Sequence, residues 1–525
     1  MEGTLLAYLH HHATERPHAP ALRVKRLGVW QKTSWKELLE RTLRLAGGLW
    51  ALGLREGEVL AILGHNAPEW VEAELAAQTL GALPMGIYAD AMPEEVGYFL
   101  EFTGAKGIVV SDEEQLDKVY PHLHLVDFVL VWEEAGMSRH FQGKVLRFSQ
   151  ALGDPKVGEE ALKKRRPEEI ALLAPTSGTT GRSKLAMLSH QNLLAGHFAL
   201  GQALGFQKGA WVFSYLPLPW IGEQMLTVVQ GLVEGSTVHF PEDPTTLRED
   251  LKEVQPDFFL APPRLWEDMA SLIQSRMADA DLLKAFFYRV GMGALLEGAS
   301  REFRGERVGL WLNLKRAFFY PLIARPLRAR LGLAACRIAV TGGAPLGPEV
   351  FTFFRALGLD IRQVYGQSET AAATTAHATG DAPPRPWAPP TPNRGAHQRG
   401  GGDPGQGAPG LPRILPPREG HGGKLHRGWL LPHRGRGILR RAGAPGDPGP
   451  GKGGGGPAGW DPLCPPVSGK PPEILPLHPR GRGPGARKTL CHGSHRAGSG
   501  ERAELGPEAG HPLYHLPLPH RAPRD

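Results

Sequence analysis

Over residues 1–381 the chain predicts an α/β architecture, mostly parallel sheets flanked by helices. Three observations carry that prediction. Apolar runs of strand length, such as residues 59–63 and 170–174, recur along the chain between glycines and polar residues. Stretches with helical apolar spacing and recognisable caps alternate with them. From Ala382 onward, by contrast, 31 Gly and 29 Pro fall among 144 residues, a composition that cannot build a packed core. The reading is one large multi-lobed domain, 1–381, then a Gly/Pro/Arg-rich tail, 382–525, without a packed fold.

The bulk numbers set limits. At 525 residues, with 41% hydrophobic and 22% charged residues, the chain has room for two to four domains. The opening residues lack the basic start and apolar core of a signal peptide, and no apolar run is long enough to span a bilayer. Cys336, Cys464 and Cys491 are scattered, which predicts neither a disulfide framework nor a metal site and points to a reducing cytoplasm. The net charge of +7 would suggest nucleic acid, but its distribution argues against a specific nucleic-acid partner. Residues 382–525 hold 21 Lys+Arg against 9 Asp+Glu, whereas residues 1–381 hold 39 against 44. The basicity belongs to the tail.

Taken in order, Ser34 and Glu37 form a capping pair for a helix with Leu38, Leu43, Leu45 and Leu49 on its apolar side, ending near Gly53. Residues 59–63 are a buried strand. A helix follows from about Asn66 to Leu80 before Gly81, and Val109-Val110 lie in the next strand. After residues 170–174 comes Pro175-Thr176-Ser177-Gly178-Thr179-Thr180-Gly181-Arg182-Ser183-Lys184, and Ser189 is a cap for the helix beyond. Glycines in such a loop let several backbone N–H groups converge on one anion. The hydroxyls add donors or a metal ligand, and the lysine adds a mobile positive charge. The spacing is not that of a Walker loop.

The order TSGTTG with a lysine three residues on resembles the AMP-binding motif of the adenylate-forming superfamily, which includes acyl-CoA synthetases, aryl-CoA ligases, luciferases and peptide-synthetase adenylation domains. Further segments resemble the family in its own order. Residues 212–223 carry LPLPW, with Trp220 where histidine or another aromatic is usual; alone, such a tryptophan is more often core filler. Residues 262–267, PPRLWE, are similar to a segment of bacterial long-chain fatty acyl-CoA synthetases. Cys336 to Val340 reads as a strand, turning through Thr341-Gly342-Gly343-Ala344-Pro345-Leu346 into a helix. Tyr365-Gly366-Gln367-Ser368-Glu369-Thr370 matches the family's YGxTE motif, with Ser368 for the usual threonine.

The resemblance implies an adenylate-forming N-terminal domain. Its activity would be a two-step ligase reaction using ATP, Mg²⁺ and coenzyme A to activate a long-chain fatty acid. It places Thr176, Ser177, Gly178, Thr179, Thr180 and Gly181 around the phosphates, with Lys184 nearby. Thr176 and Glu369 would approach Mg²⁺. Gly343, Ala344, Pro345, Tyr365, Gly366, Gln367 and Ser368 would line the nucleotide, and Trp220, Ile221, Gly343 and Ala344 would bound the acyl site. Lys184 and Glu369 are the catalytic candidates. Ser183 and Leu185 depart from the usual proline and glycine. A ligase for an aryl or medium-chain acid, and a noncatalytic nucleotide- or lipid-binding remnant, are the alternatives.

Residues 277–333 read as a helical insertion in which Phe286, Phe287, Trp311, Phe318 and Phe319 are interleaved with arginines and lysines. Such a segment can seat on an anionic membrane surface; a basic face that is simply solvated is the equal alternative. This makes the expected location cytoplasmic, with peripheral contact at the inner face of the membrane. The oligomeric state is left open.

In the family, an Asp for the ribose, an Arg, and a small domain with a catalytic Lys should follow residue 381, and none is visible. Read one base later, however, with free choice of wobble bases, residues 400–415 permit EGEILVRGPxVFLGYY, residues 431–435 YHTGD and residues 444–452 HLVILDRAK. All three resemble the family, in order and in one frame. The expectation is a frame shift between about Asp381 and Trp387, the rival being a genuine basic low-complexity tail.

Overall fold

The computed structural model describes residues 1–137, 139–176 and 183–377, together with the backbone of Arg413–Leu415. The chain divides into the unit Met1–Arg434 and the unit Gly435–Asp525; the second, like most of 382–525, lies outside the described residues.

The described strands, in chain order, are β1 (Pro20–Arg26), β2 (Val29–Ser34), β3 (Val59–Leu63), β4 (Leu83–Ile87), β5 (Gly107–Val110), β6 (Phe128–Val131), β7 (Val145–Arg147) and β8 (Ile170–Thr176). They continue with β9 (Lys184–Ser189), β10 (Trp211–Phe213), β11 (Thr237–Phe240), β12 (Phe258–Ala261), β13 (Ile338–Thr341), β14 (Ile361–Tyr365), β15 (Thr375–Ala376) and β16 (Arg413–Leu415). They form two sheets of eight. The first runs β15-β14-β13-β12-β10-β11-β1-β2 and the second β16-β9-β8-β4-β3-β5-β6-β7. Pairing is parallel except at the ends, where β1–β2, β14–β15, β8–β9 and β9–β16 are antiparallel. This is the expected α/β class.

Both faces of each sheet are covered, which is why the strands read as continuous apolar runs. In β3 the two-residue period sends Leu60 and Ile62 into the core shared by the two sheets, and Val59, Ala61 and Leu63 into the core on the far side. In β12 and β13, Phe258, Leu260, Ile338 and Val340 face the shared core. Phe259, Ala261 and Ala339 face a third cluster, built around Trp266, Phe351 and Phe354.

The helix signals hold in detail. Ser34 caps Trp35–Ala51, with the Glu37 carboxylate accepting from the Ser34 backbone N–H; these hydrogen bonds lower the Glu37 pKa. Pro68 opens Pro68–Leu80 and Gly81 closes it in the left-handed region, at φ 72°. Ser189 and Asn192 form a second capping box, for His190–Leu204. One strand was not anticipated and one strand bound needs correction. Residues 184–189, just before the Ser189 cap, form a strand, β9, in which Leu185 buries on one face and Ala186 and Leu188 on the other. Cys336 precedes its strand, which starts at Ile338; its sulfhydryl is buried, and burial pushes its pKa up to about 12.

Candidate functional site

The site is assembled from strand ends, the usual position for a ligand cleft in parallel sheets. β8 ends at Thr176, which pairs antiparallel with Lys184 at the start of β9. Ser177, Gly178, Thr179, Thr180 and Gly181 lie outside the described residues. The Thr176 Oγ1 donates to the Lys184 carbonyl at 3.5 Å. Tyr98, on the helix Pro93–Thr103, donates to the Ser183 carbonyl at 3.1 Å and so holds the loop's exit.

The second part comes from the other sheet. After β14 the chain passes through Gly366 and Gln367 into the short turn Ser368–Thr370. The Ser368 hydroxyl donates to the Pro175 carbonyl at 3.3 Å. That turn touches both β8 and β9, which sets Glu369 beside the end of β8. The Gln367 side-chain amide donates to the Tyr365 hydroxyl at 3.0 Å, and the Tyr365 ring is half exposed. Gly366 has no room for a side chain, since a Cβ there would collide with the Ala372 backbone.

The third part is an apolar cavity of ≈ 70 Å³. Trp220, Ile221 and Gly222 form one wall. Gly342, Gly343, Val364 and Gly366 form another, and Leu200, Leu204, Met225 and Leu226 close it. The Trp220 ring lies across Gly222, where a Cβ would meet it at 2.5 Å, and reaches to 4.0 Å from a Cβ at Gly343. Gly343 has φ 86°, a conformation that suits glycine. The structure thus brings Trp220, Ile221, Gly343 and Gly366 around one space. Ala344 and Pro345 are exposed beyond the turn and do not line the cavity.

Sequence reasoning missed two contributors. Leu200 and Leu204 were legible as one turn of a helix, but nothing local shows which cavity they close. Gln224–Val229 is a π-helical segment, a form frequent at functional sites, and it delivers Met225 and Leu226. Just before it, the Glu223 carboxylate accepts from the Ser214 and Thr227 hydroxyls, each at 2.7 Å. Burial raises its pKa to about 7, against those two hydrogen bonds. Burial likewise raises Glu74, which accepts from the Gln224 amide at 2.8 Å, to about 7.

A carboxyl raised in the folded state binds a proton that the unfolded chain has already lost. Stability therefore falls as pH rises from about 4.5 to about 7, and levels off above. Thermal melts of Glu223→Gln should show a smaller fall across that window than the parent. An identical fall in both proteins would remove Glu223 from the account.

Among the described residues no cluster of three or more His, Cys, Asp or Glu is placed to hold a metal. The donors available, the Glu369 carboxylate in the turn and the Thr176 hydroxyl at the end of β8, suit a cation that keeps most of its water and takes phosphate oxygens. Mg²⁺ is such a cation, so the residues fit it.

Known proteins resemble the chain in sequence and in fold. A long-chain-fatty-acid–CoA ligase of Gallus gallus is 29% identical over 371 residues, covering 68% of this chain and 48% of its own length. One of Bos taurus is 30% identical over 365 residues, covering 67% and 50%. The chain spans about half the length of these curated relatives. Among solved structures, the acetoacetyl-CoA synthetase of Streptomyces lividans superposes with a TM-score of 0.54 at 18% identity, covering 71% of this chain and 53% of its own. A long-chain-fatty-acid–CoA ligase of Archaeoglobus fulgidus gives 0.52 at 17%, covering 72% and 66%. At those identities the structures share the fold. The AMP-binding enzyme profile matches residues 9–401, most of the chain. Having that match and this cleft, the chain belongs to the AMP-binding enzyme family.

Proposed function

We propose that residues 1–381 bind ATP and a long-chain fatty acid in one cleft and join them as an acyl-adenylate, with coenzyme A taking the acyl group in a second step. The observation that carries this reading is the Ser368–Pro175 hydrogen bond, which sets the Tyr365–Thr370 stretch against the end of β8 beside an apolar cavity. The roles follow from chemistry. The fatty carboxylate oxygen attacks the α-phosphorus, the bond to the β-phosphate breaks, and pyrophosphate leaves. Thr176 and the hydroxyls and N–H groups of 177–181, with Lys184, hold the phosphates and stabilise the charge that grows on pyrophosphate. Thr176 and Glu369 would hold Mg²⁺, which when bound neutralises phosphate charge. Tyr365 offers its ring to adenine, and Trp220, Ile221 and Gly343 bound the acyl chain. The long-chain assignment rests on PPRLWE and the 277–333 segment, and the same segment is the proposed membrane contact, with the cytoplasm as the proposed location. An aryl or medium-chain acid is the competing substrate.

Binding tests this even if turnover is impaired. Calorimetry should show that Glu369→Gln weakens ATP in the presence of Mg²⁺ by about 10- to 100-fold, while the two proteins bind ATP alike in EDTA. Palmitate, but not benzoate, should tighten Mg-ATP binding in the parent. Equal Mg-ATP affinity in the variant would remove Glu369 from the site, and a preference for benzoate would replace the substrate class.

A further inference from the structure

The helices Leu282–Phe303 and Leu310–Phe319 form an antiparallel hairpin. Gly291 faces Phe319 and Ile323, Gly298 faces Arg316, and Arg316 in turn donates to the Glu302 carboxylate. Met292, Leu295 and Ala299 fix the first helix to the core around Trp266. Much of the remaining apolar surface is uncovered. Leu283, Phe286, Phe287 and Val290 follow one another at helical spacing, as do Trp311, Leu314, Phe318 and Leu322. Counted at about 100° per residue from the Gly291 contact, both stripes fall on the same side of the hairpin. Trp311 is 79% exposed and Phe286 and Phe318 are 60% exposed, a contiguous apolar face of the kind that marks an interaction site.

The charge around this face is one-sided. Residues 277–333 hold ten Lys+Arg and five Asp+Glu. Glu297, Glu302 and Glu306 are taken up by Arg301, Arg316 and Arg304. Lys284, Arg289, Arg307, Lys315, Arg325 and Arg330 are exposed and, among the described residues, in no ion pair. We propose that this face seats in the interface of a bilayer containing anionic phospholipid, the aromatics entering the acyl boundary and the free cations meeting headgroup phosphates. A second copy of the chain would bring the same positive hairpin and be repelled. The rest of 1–381, with 29 Lys+Arg against 39 Asp+Glu, is repelled by anionic lipid, so the hairpin sets which side faces the membrane. Among the described residues no helix is long and apolar enough to cross a bilayer, so the contact is a seating one. Its purpose, delivery of a lipid-soluble acid, rests on the long-chain reading of the site; the contact itself does not.

The test must separate this face from the basic tail. In the full chain, with Cys464→Ser and Cys491→Ser, an environment-sensitive fluorophore is attached at Leu314→Cys or, as a control, at exposed Glu160→Cys; Cys336 is buried. Vesicles of phosphatidylcholine, with and without phosphatidylglycerol, are added without ATP or fatty acid. The expected result is a blue shift at position 314, quenched by lipid-borne quencher and strongest with phosphatidylglycerol, and no change at 160. Phe286→Ser/Trp311→Ser/Phe318→Ser should lower vesicle partitioning by about tenfold or more. Vesicle binding that leaves the 314 signal unchanged would assign the contact to the tail and overturn the proposal. A 314 shift that grows with protein concentration and needs no lipid would make the face a self-association surface and overturn it too. Because neither substrate is present, failure of Mg-ATP binding sinks the functional reading and leaves this one standing, and the reverse holds.

Discussion

Removing one base from the coding sequence between the codons for Asp381 and Trp387 is expected to raise fatty-acid-dependent acyl-CoA formation by about a thousandfold or more. As written, residues 382–525 show none of the Asp, Arg and Lys that the family places after its YGxTE motif, and removing a single transition-state contact typically costs about 10²- to 10³-fold. The shifted frame restores family-like stretches at three separate places, in order, which chance wobble choices do not readily produce. Sequencing the source gene across the codons for 379–390 is the first check, and acyl-CoA formation by the two purified proteins is the second. If the reframed protein is as inactive as the parent, the tail is genuine and the chain is a nucleotide- or lipid-binding relative of the enzymes.

Gly366→Ala should abolish measurable Mg-ATP binding, or weaken it by at least about 100-fold, with a loss of about 1–3 kcal/mol in stability. The added methyl would run into the Ala372 carbonyl, and the turn has no slack to move it. Ala371 and Ala372 already sit at φ 49° and 59°, a strained region for residues with a Cβ. On the other side, the Ala371 carbonyl would stand 2.9 Å from a Cβ at Gly196, so it rests against the helix His190–Leu204. Displacing the turn would carry Tyr365 and Glu369 with it. Gly293→Ala is the matched control, because nothing lies within 4 Å of its new methyl and alanine favours a helix interior. Calorimetry on both variants decides the point: unchanged ATP affinity in Gly366→Ala would show that the turn does not touch nucleotide.

Much of the fold was legible because its signals are local. Ser34 with Glu37, Pro68 with Gly81, and the apolar runs 59–63 and 170–174 each state their own structure through caps or burial. β9 was not legible, because six residues between a polar loop and a helix cap declare themselves a strand only once β8 is known to lie beside them. The site was legible as motifs, but not as an arrangement. That Ser368 reaches Pro175 across 193 positions, or that Leu204 closes a cavity against Met225, depends on how two sheets meet. Ala344 shows the same limit, since its place in a motif does not say whether its side chain reaches the cavity, and it does not line it.

The order of strands has a bearing on how the protein is made. β1 lies beside β11, with Leu22 opposite Val238, so β1 on emerging from a ribosome stays without that neighbour until more than two hundred further residues have followed. The second sheet, by contrast, draws β3 to β9 from one continuous stretch, 59–189, nested inside the first. Closing short intervals is entropically cheaper than closing long ones, and segments of a growing chain tend to settle from the N-terminus onward. The nested sheet therefore has the means to organise while the chain is still emerging, leaving the β1–β2 hairpin as the piece that waits. A nascent chain halted before β11 exposes that hairpin's inner edge, making it the region where chaperone contact or mispairing during synthesis concentrates.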